Sequence, residues 1–235
     1  MKALGLRFLI FLLSVGLSCS ALAQTAPVPF VGCVSDGQMG PKPVPKTSRG
    51  PRLPVAVASR LAWYASDDLG VLAPRGWKCL GIYGSNGAML LVVPDDARQL
   101  PPGHDRPIKG QGIQLGTSYG ETSGRFEAAR IAARLFPNRQ AFVDAVASEG
   151  IWPKEAFRSG SSPHDRIRRL GSDQVSFETP ANEDGLGTMS RLEKSRDPIQ
   201  GMAKMNENND ATLLVVRLNP DARDLVPTIL GVELP

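Results

Sequence analysis

The sequence predicts an α+β protein: a mainly antiparallel sheet with helices packed on one face. Three observations carry this reading. Short apolar runs flanked by turn residues recur as two hairpins, 77–83 with 88–93 and 199–205 with 212–218. Two adjacent amphipathic helices stand between those hairpins, at 124–136 and 139–149. The regular strand–helix alternation of a doubly wound fold is absent.

The chain opens on an export pattern. Lys2 and Arg7 precede an apolar run, FLIFLLSVGL, and Ala21-Leu22-Ala23 places small residues before Gln24. Residues 1–23 are therefore read as a secretory signal peptide, with Gln24 as the mature N-terminus. The apolar run is about ten residues, short of the ~20 that span a bilayer core. No transmembrane segment is expected in the mature chain, which is placed in the periplasm or outside the cell. Cys19 leaves with the signal, so Cys33 and Cys79 remain as a pair in an oxidising compartment and are expected to form a disulfide. Such a long closed loop corresponds to about 4 kcal/mol in the chain-entropy model.

Residues 24–54 carry seven prolines, among them Pro41, Pro43 and Pro45 at alternate positions, and are expected to form an irregular N-terminal strap. One α+β domain is expected to follow over 55–235. A helix is predicted over 55–66, with Pro54 before it and Val57, Leu61, Trp63 and Tyr64 near one face. The 77–83/88–93 hairpin turns on Gly84-Ser85-Asn86-Gly87. Its second strand, AMLLVV, is apolar throughout and so belongs inside a sheet. Residues 94–111 read as a loop and 112–118 as a strand. In the helix over 124–136, Ala128, Ile131, Ala132, Leu135 and Phe136 share a side, while Glu127, Arg130 and Arg134 are expected to face away. Asn138 is the expected cap of the next helix and Gly150 its stop. A short helix is predicted at 163–170 with Ser162 as its cap, a strand at 175–178, and a closing strand at 228–234. AMLLVVPDDARQL (88–100) and ATLLVVRLNPDARDL (211–225) echo one another, as a duplicated strand-and-turn unit would.

Composition narrows the function. The net charge of +4 falls to +2 without Lys2 and Arg7, too small a bias to signal nucleic acid or an anionic membrane. Aromatic content is 6% and signals no stacking platform for glycan or nucleic acid. No catalytic set can be assembled from the sequence. Ser85 lacks the glycine pattern and following helix of a nucleophile elbow. Ser161, Ser162, His164 and Asp165 are adjacent in sequence, whereas triad side chains converge from separate elements. Cys79 as a nucleophile conflicts with the expected disulfide. His104 and His164 have no metal-ligand spacing. No cofactor and no metal are expected.

The best candidate site is the loop into the first central helix: Ser118, Thr122, Ser123, Gly124 and Arg125. Hydroxyls, glycines and an Arg at a helix start can hold an anion through backbone N–H groups and the helix dipole. Arg125 falls on the apolar side of its helix and needs a partner: a carboxylate such as Glu178, a carbonyl or a ligand. The polar, glycine-bearing loop 179–188 is a second candidate.

The segments 32–41 (GCVSDGQMGP), 72–79 (LAPRGWKC), 83–87 (YGSNG) and 122–127 (TSGRFE) together resemble an uncharacterised family of exported proteobacterial proteins. The resemblance implies an envelope location and no particular mechanism. The combined expectation is an exported, non-catalytic protein that binds an envelope ligand or protein partner. The alternative is a hydrolase of envelope polymers or peptides, which would bring an acid, His104 or His164, and a Ser into one pocket.

Overall fold

The computed structural model describes residues 24–94, 107–232 and 234. Residues 1–23 (Cys19 among them), His104 and most of the 94–111 segment lie outside the described residues.

In chain order the elements are β1 (Thr25–Pro27), β2 (Phe30–Gly32), β3 (Val34–Gly37), β4 (Arg52–Pro54), α1 (Val55–Ala58), β5 (Leu61–Ala65) and β6 (Gly70–Pro74). There follow β7 (Lys78–Gly84), β8 (Gly87–Val93), β9 (Gly112–Ser118), α2 (Arg125–Leu135), α3 (Gln140–Ser148), β10 (Arg166–Arg169) and β11 (Gln174–Thr179). The last are β12 (Ile199–Met205), β13 (Ala211–Arg217) and α4 (Val226–Leu230). An eight-stranded sheet runs in the order β10-β11-β12-β13-β9-β8-β7-β3. Every pairing in it is antiparallel except β3 with β7. A three-stranded sheet, β2-β5-β6, and the pair β1-β4 complete the β-structure.

The apolar LLVV runs explain the layering. Along β8, Leu91 and Val93 face a core built with Ala128, Ile131 and Leu135 of α2 and Val143 and Val146 of α3. Leu90 and Val92 face the opposite core, built with Leu61, Tyr64 and Leu72 of the small sheet and with Val226 and Ile229 of α4. Alternate residues of one strand thus serve two cores, as the pleat requires. The helices are consequently divided between the faces: α2 and α3 on one, α1 and α4 on the other.

The echoing segments occupy β8 and β13, on either side of β9 and both antiparallel to it. Their matched residues face opposite cores: Leu90 opposes Leu213, and Leu91 opposes Leu214. The matched residues are offset by one position along β9, Leu90 beside Leu115 and Leu213 beside Gly116, and that one-residue offset turns them to opposite faces.

Both hairpins form as read, the first with Gly84 paired to Gly87 and the second with Met205 paired to Ala211. Five other expectations are corrected. The 24–54 strap is irregular only in part: it holds four short strands, and β3 joins the edge of the main sheet. The 55–66 helix stops after one turn, because Leu61–Ala65 pairs with β6 and burial of Leu61, Ala62, Tyr64 and Ala65 outweighs helical periodicity. Arg75 holds that stop, donating from Nη2 to the Ala58 carbonyl (2.7 Å) and from Nε to that of Leu61 (3.1 Å). The 163–170 segment makes no helix, since Arg166–Arg169 pairs with β11 and Ser162 Oγ donates to the Asp184 carbonyl rather than capping. Asn138 lies inside a 3-10 turn, Pro137–Arg139, and makes no side-chain cap, although Gly150 at φ +69° ends α3 as expected. The closing 228–234 strand is replaced by α4, whose Val226 and Ile229 plug the core.

Cys33 and Cys79 are bonded, joining the segment after β2 to the start of β7. Among the described residues no helix is long and apolar enough to cross a membrane.

Candidate functional site

Side-chain alternation along β9 builds a site. Ile113 and Leu115 belong to the core on the small-sheet side, so Gln114, Gly116 and Ser118 present the other face. Gly116 is flanked in the ladder by Met89 and Leu213. With no side chain at Gly116, a pocket of about 460 Å³ opens between this face and α2, within the size range of small-molecule sites. Ile82, Met89 and Leu213 contribute from the sheet, Ile131 from α2, and Trp152 and Met189 from loops. Trp152 is held between Phe126 and Phe157, with ring centroids at 5.6 and 6.3 Å.

Polar groups converge beside these apolar side chains. Glu127 and Arg130, one helical turn apart on α2, both line the pocket and pair through Oε1 and Nη2 at 2.6 Å. Each side chain is 29% exposed. Two residues of the stripe expected to face solvent, Glu127 and Arg130, therefore face a cavity, because α2 is covered by the sheet on one side and by loops on the other. Arg130 Nε is buried without a hydrogen-bond partner. Gln114 is buried and accepts a hydrogen bond from the Arg191 amide at 2.9 Å, which fixes the Ser190–Arg191 segment at the pocket wall.

The structure divides the candidate residues. Ser118, Ser123 and Gly124 line the pocket, and Thr122 and Arg125 stand outside its lining. Thr122 organises the loop: its hydroxyl accepts from the Gly124 amide and donates to the Tyr119 carbonyl, both at 3.2 Å. The loop's amides are largely spent internally, with Tyr119 N on Asn86 O, Gly120 N on Asp210 Oδ1 and Arg125 N on Thr122 O. Little backbone donor capacity remains for an anion. Arg125 takes a carboxylate, Glu149 rather than Glu178, which pairs with Arg166 instead. Arg125 also donates to the Thr122 carbonyl (2.8 Å) and stacks over the Phe126 ring.

The 179–188 loop is stapled from below. Thr179 Oγ1 donates to Asp165 Oδ1 (2.6 Å) and accepts from the Gly187 amide, while Asp165 Oδ2 accepts from the Leu186 amide (3.0 Å). Asp165 is thus a loop anchor. His164 is exposed, 3.7 Å from Glu183, and is not among the pocket's lining residues. The pocket assembles serines and an acid, and no described histidine.

Sequence reading missed Gln114, Glu127, Arg130 and Trp152 as pocket residues. The usable signal was the Glu127/Arg130 pair at i,i+3 beside apolar Ile131. It reads equally well as a solvated helix face until the tertiary cover is known.

No protein-family profile, curated protein or solved structure matches the chain. The functional reading therefore rests on the pocket's own chemistry.

Proposed function

We propose that this chain is an exported, non-catalytic protein that binds a small ligand in the pocket between α2 and the sheet. One observation carries the reading: a pocket of about 460 Å³ with mixed apolar and polar lining that contains a half-buried ion pair and a fixed glutamine. Cavities of that size in which apolar walls carry convergent polar groups are the usual form of small-molecule sites. Export is supported by the Cys33–Cys79 disulfide, since such bonds persist in oxidising compartments, and by the residue pattern of 1–23. A hydrolytic reading gains no support from His164, which is turned toward Glu183 on the surface.

The test is a broad thermal-shift panel on the mature protein, spanning amino acids, organic acids, sugars and peptides, repeated on Gly116→Phe. A ligand that binds only the folded state raises the melting temperature. The expected result is at least one hit that vanishes in Gly116→Phe while the variant's own fold persists. Hits unaffected by that substitution would refute the pocket. Cell fractionation with N-terminal sequencing tests export: a chain starting at Gln24 in the envelope or medium is expected, and a cytoplasmic chain starting at Met1 contradicts it.

A further inference from the structure

We infer that the ligand is a free α-amino acid with an apolar side chain, seated head-first on the Glu127–Arg130 pair. This rests on the pocket reading above and deepens it.

The argument starts from charge. Glu127 and Arg130 lie 2.6 Å apart, so their charges cancel to a distant observer. A simple anion drawn to Arg130 would be repelled by Glu127, and a simple cation would meet the reverse. The pair is also unsaturated. Among the described residues, Glu127 Oε2 and Arg130 Nη1 have no protein hydrogen-bond partner, and the only polar contact of the two side chains is with each other. A carboxylate offers acceptors alone and a guanidinium donors alone. The complementary ligand therefore carries one ammonium and one carboxylate, close enough to meet both at once. An α-amino acid does so, with both groups on a single carbon. An ω-amino acid separates them too far for one adjacent pair.

The rest of the cavity sets the side chain. Ile131 follows Arg130 directly on α2, and Met89, Trp152, Met189 and Leu213 supply further apolar lining. Gln114 is committed through its carbonyl oxygen to the Arg191 amide, so it fixes the wall rather than accepting from a second ammonium. An apolar side chain buried against these residues is stabilised by the removal of its surface from water.

The experiment is calorimetric titration of the mature protein with L-phenylalanine and L-leucine. N-acetyl-phenylalanine, phenylalaninamide and 6-aminohexanoic acid serve as probes lacking the ammonium, the carboxylate and the adjacency. Phenylalanine or leucine is expected to bind, and each of the three other probes at least tenfold more weakly. Glu127→Gln and Arg130→Gln should each weaken the parent amino acid at least tenfold, with unchanged melting curves confirming that the variants fold. Equal binding of the acetylated or amidated probe, or unchanged affinity in both variants, would overturn the inference. So would no binding by either amino acid at millimolar concentration. If acetyl-phenylalanine binds and Gly116→Phe abolishes it, the pocket stands and the amino-acid assignment falls. If phenylalanine binds Gly116→Phe as tightly as the native chain, the pocket itself is wrong.

Discussion

Arg125 and Glu149 tie the first residue of α2 to the residue that follows α3. The contact is two-pronged, Nε to Oε1 at 2.7 Å and Nη2 to Oε2 at 2.6 Å. Arg125 also closes the 119–124 loop through the Thr122 carbonyl, so a single guanidinium joins loop, helix start and helix end. The hydrogen bond from Arg125 holds the Glu149 carboxyl below its ordinary value, and the hydrogen bond to Glu149 raises Arg125 above its own. A carboxylate depressed in the folded state contributes stability above its unfolded pKa and loses it as pH falls through the folded value. The native melting temperature should therefore decline on acidification below the usual glutamate range more steeply than that of Glu149→Gln. Arg125→Gln and the double variant should share the flatter slope. Melting curves at stepped acidic pH check this, and parallel slopes for all four proteins would contradict it.

The disulfide makes the second prediction. Cys33 and Cys79 are separated by 46 residues, a loop worth about 4 kcal/mol in the chain-entropy model. Cys33 is buried beside the small sheet, and its amide donates to the Ala65 carbonyl at 2.8 Å. Denaturant unfolding with and without reductant should show a loss of a few kcal/mol, with the β2–β3 region opening first. Intact mass of the native protein should show no alkylatable thiol.

What was legible in the sequence divides along a physical line. Both hairpins, the β9 strand, both central helices and the disulfide were readable, because each is set by local turn chemistry, a strong period or covalent pairing. The 55–66 segment was not. LAWYA becomes a strand only because β6 and the core beside α4 receive it. The 163–170 segment failed likewise, since Asp165 prefers the Leu186 amide and Thr179 hydroxyl to a helix's own first turn. At the site, the 118–125 loop was found, and three of its five named residues line the pocket. Its partners across the cavity, Gln114 and Trp152, come from distant elements, and nothing local marks them.

Arg217 supplies the third prediction. It is 2% exposed, and its guanidinium donates to the carbonyls of Gly110 (2.7 Å), Ile108 (2.6 Å) and Glu193. Among the described residues no carboxylate pairs with it, and burial pushes its pKa down from the usual arginine value, against the pull of Asp197 and Glu193. It clamps the strand-like bridge of Ile108 with Leu192 to the end of β13. Arg217→Met strands three carbonyls and should cost about 3 to 5 kcal/mol, as loss of buried charged hydrogen bonds does. Lysine cannot reproduce the fork and should recover only part of that. Urea unfolding of both variants measures the two costs.

Gly116 and Gly124 lie on the same pocket and should respond in opposite ways. A Cβ on Gly124 would fall 2.0 Å from the Asn86 carbonyl oxygen and 2.6 Å from the Tyr119 amide, both rigid backbone. Gly124 is small because the β7–β8 turn and the 119–124 loop meet there, sealed by the Tyr119 amide on the Asn86 carbonyl at 3.1 Å. Gly124→Ala must part that seam, and overpacking of this kind costs about 2 to 3 kcal/mol. At Gly116 a Cβ would meet only the Ala88 carbonyl oxygen, at an ordinary 3.7 Å, and would enter the cavity. Its backbone is ordinary strand, where an aromatic residue is well tolerated. Gly116→Phe should therefore stay within about 1 kcal/mol of the native stability while filling the space that a ligand needs. Chemical denaturation of the two variants, alongside ligand-induced shifts in melting temperature, separates the effects. A large stability loss in Gly116→Phe would mean that the cavity is not open where β9 faces α2. A neutral Gly124→Ala would mean that the turn and loop do not meet as closely as the geometry requires.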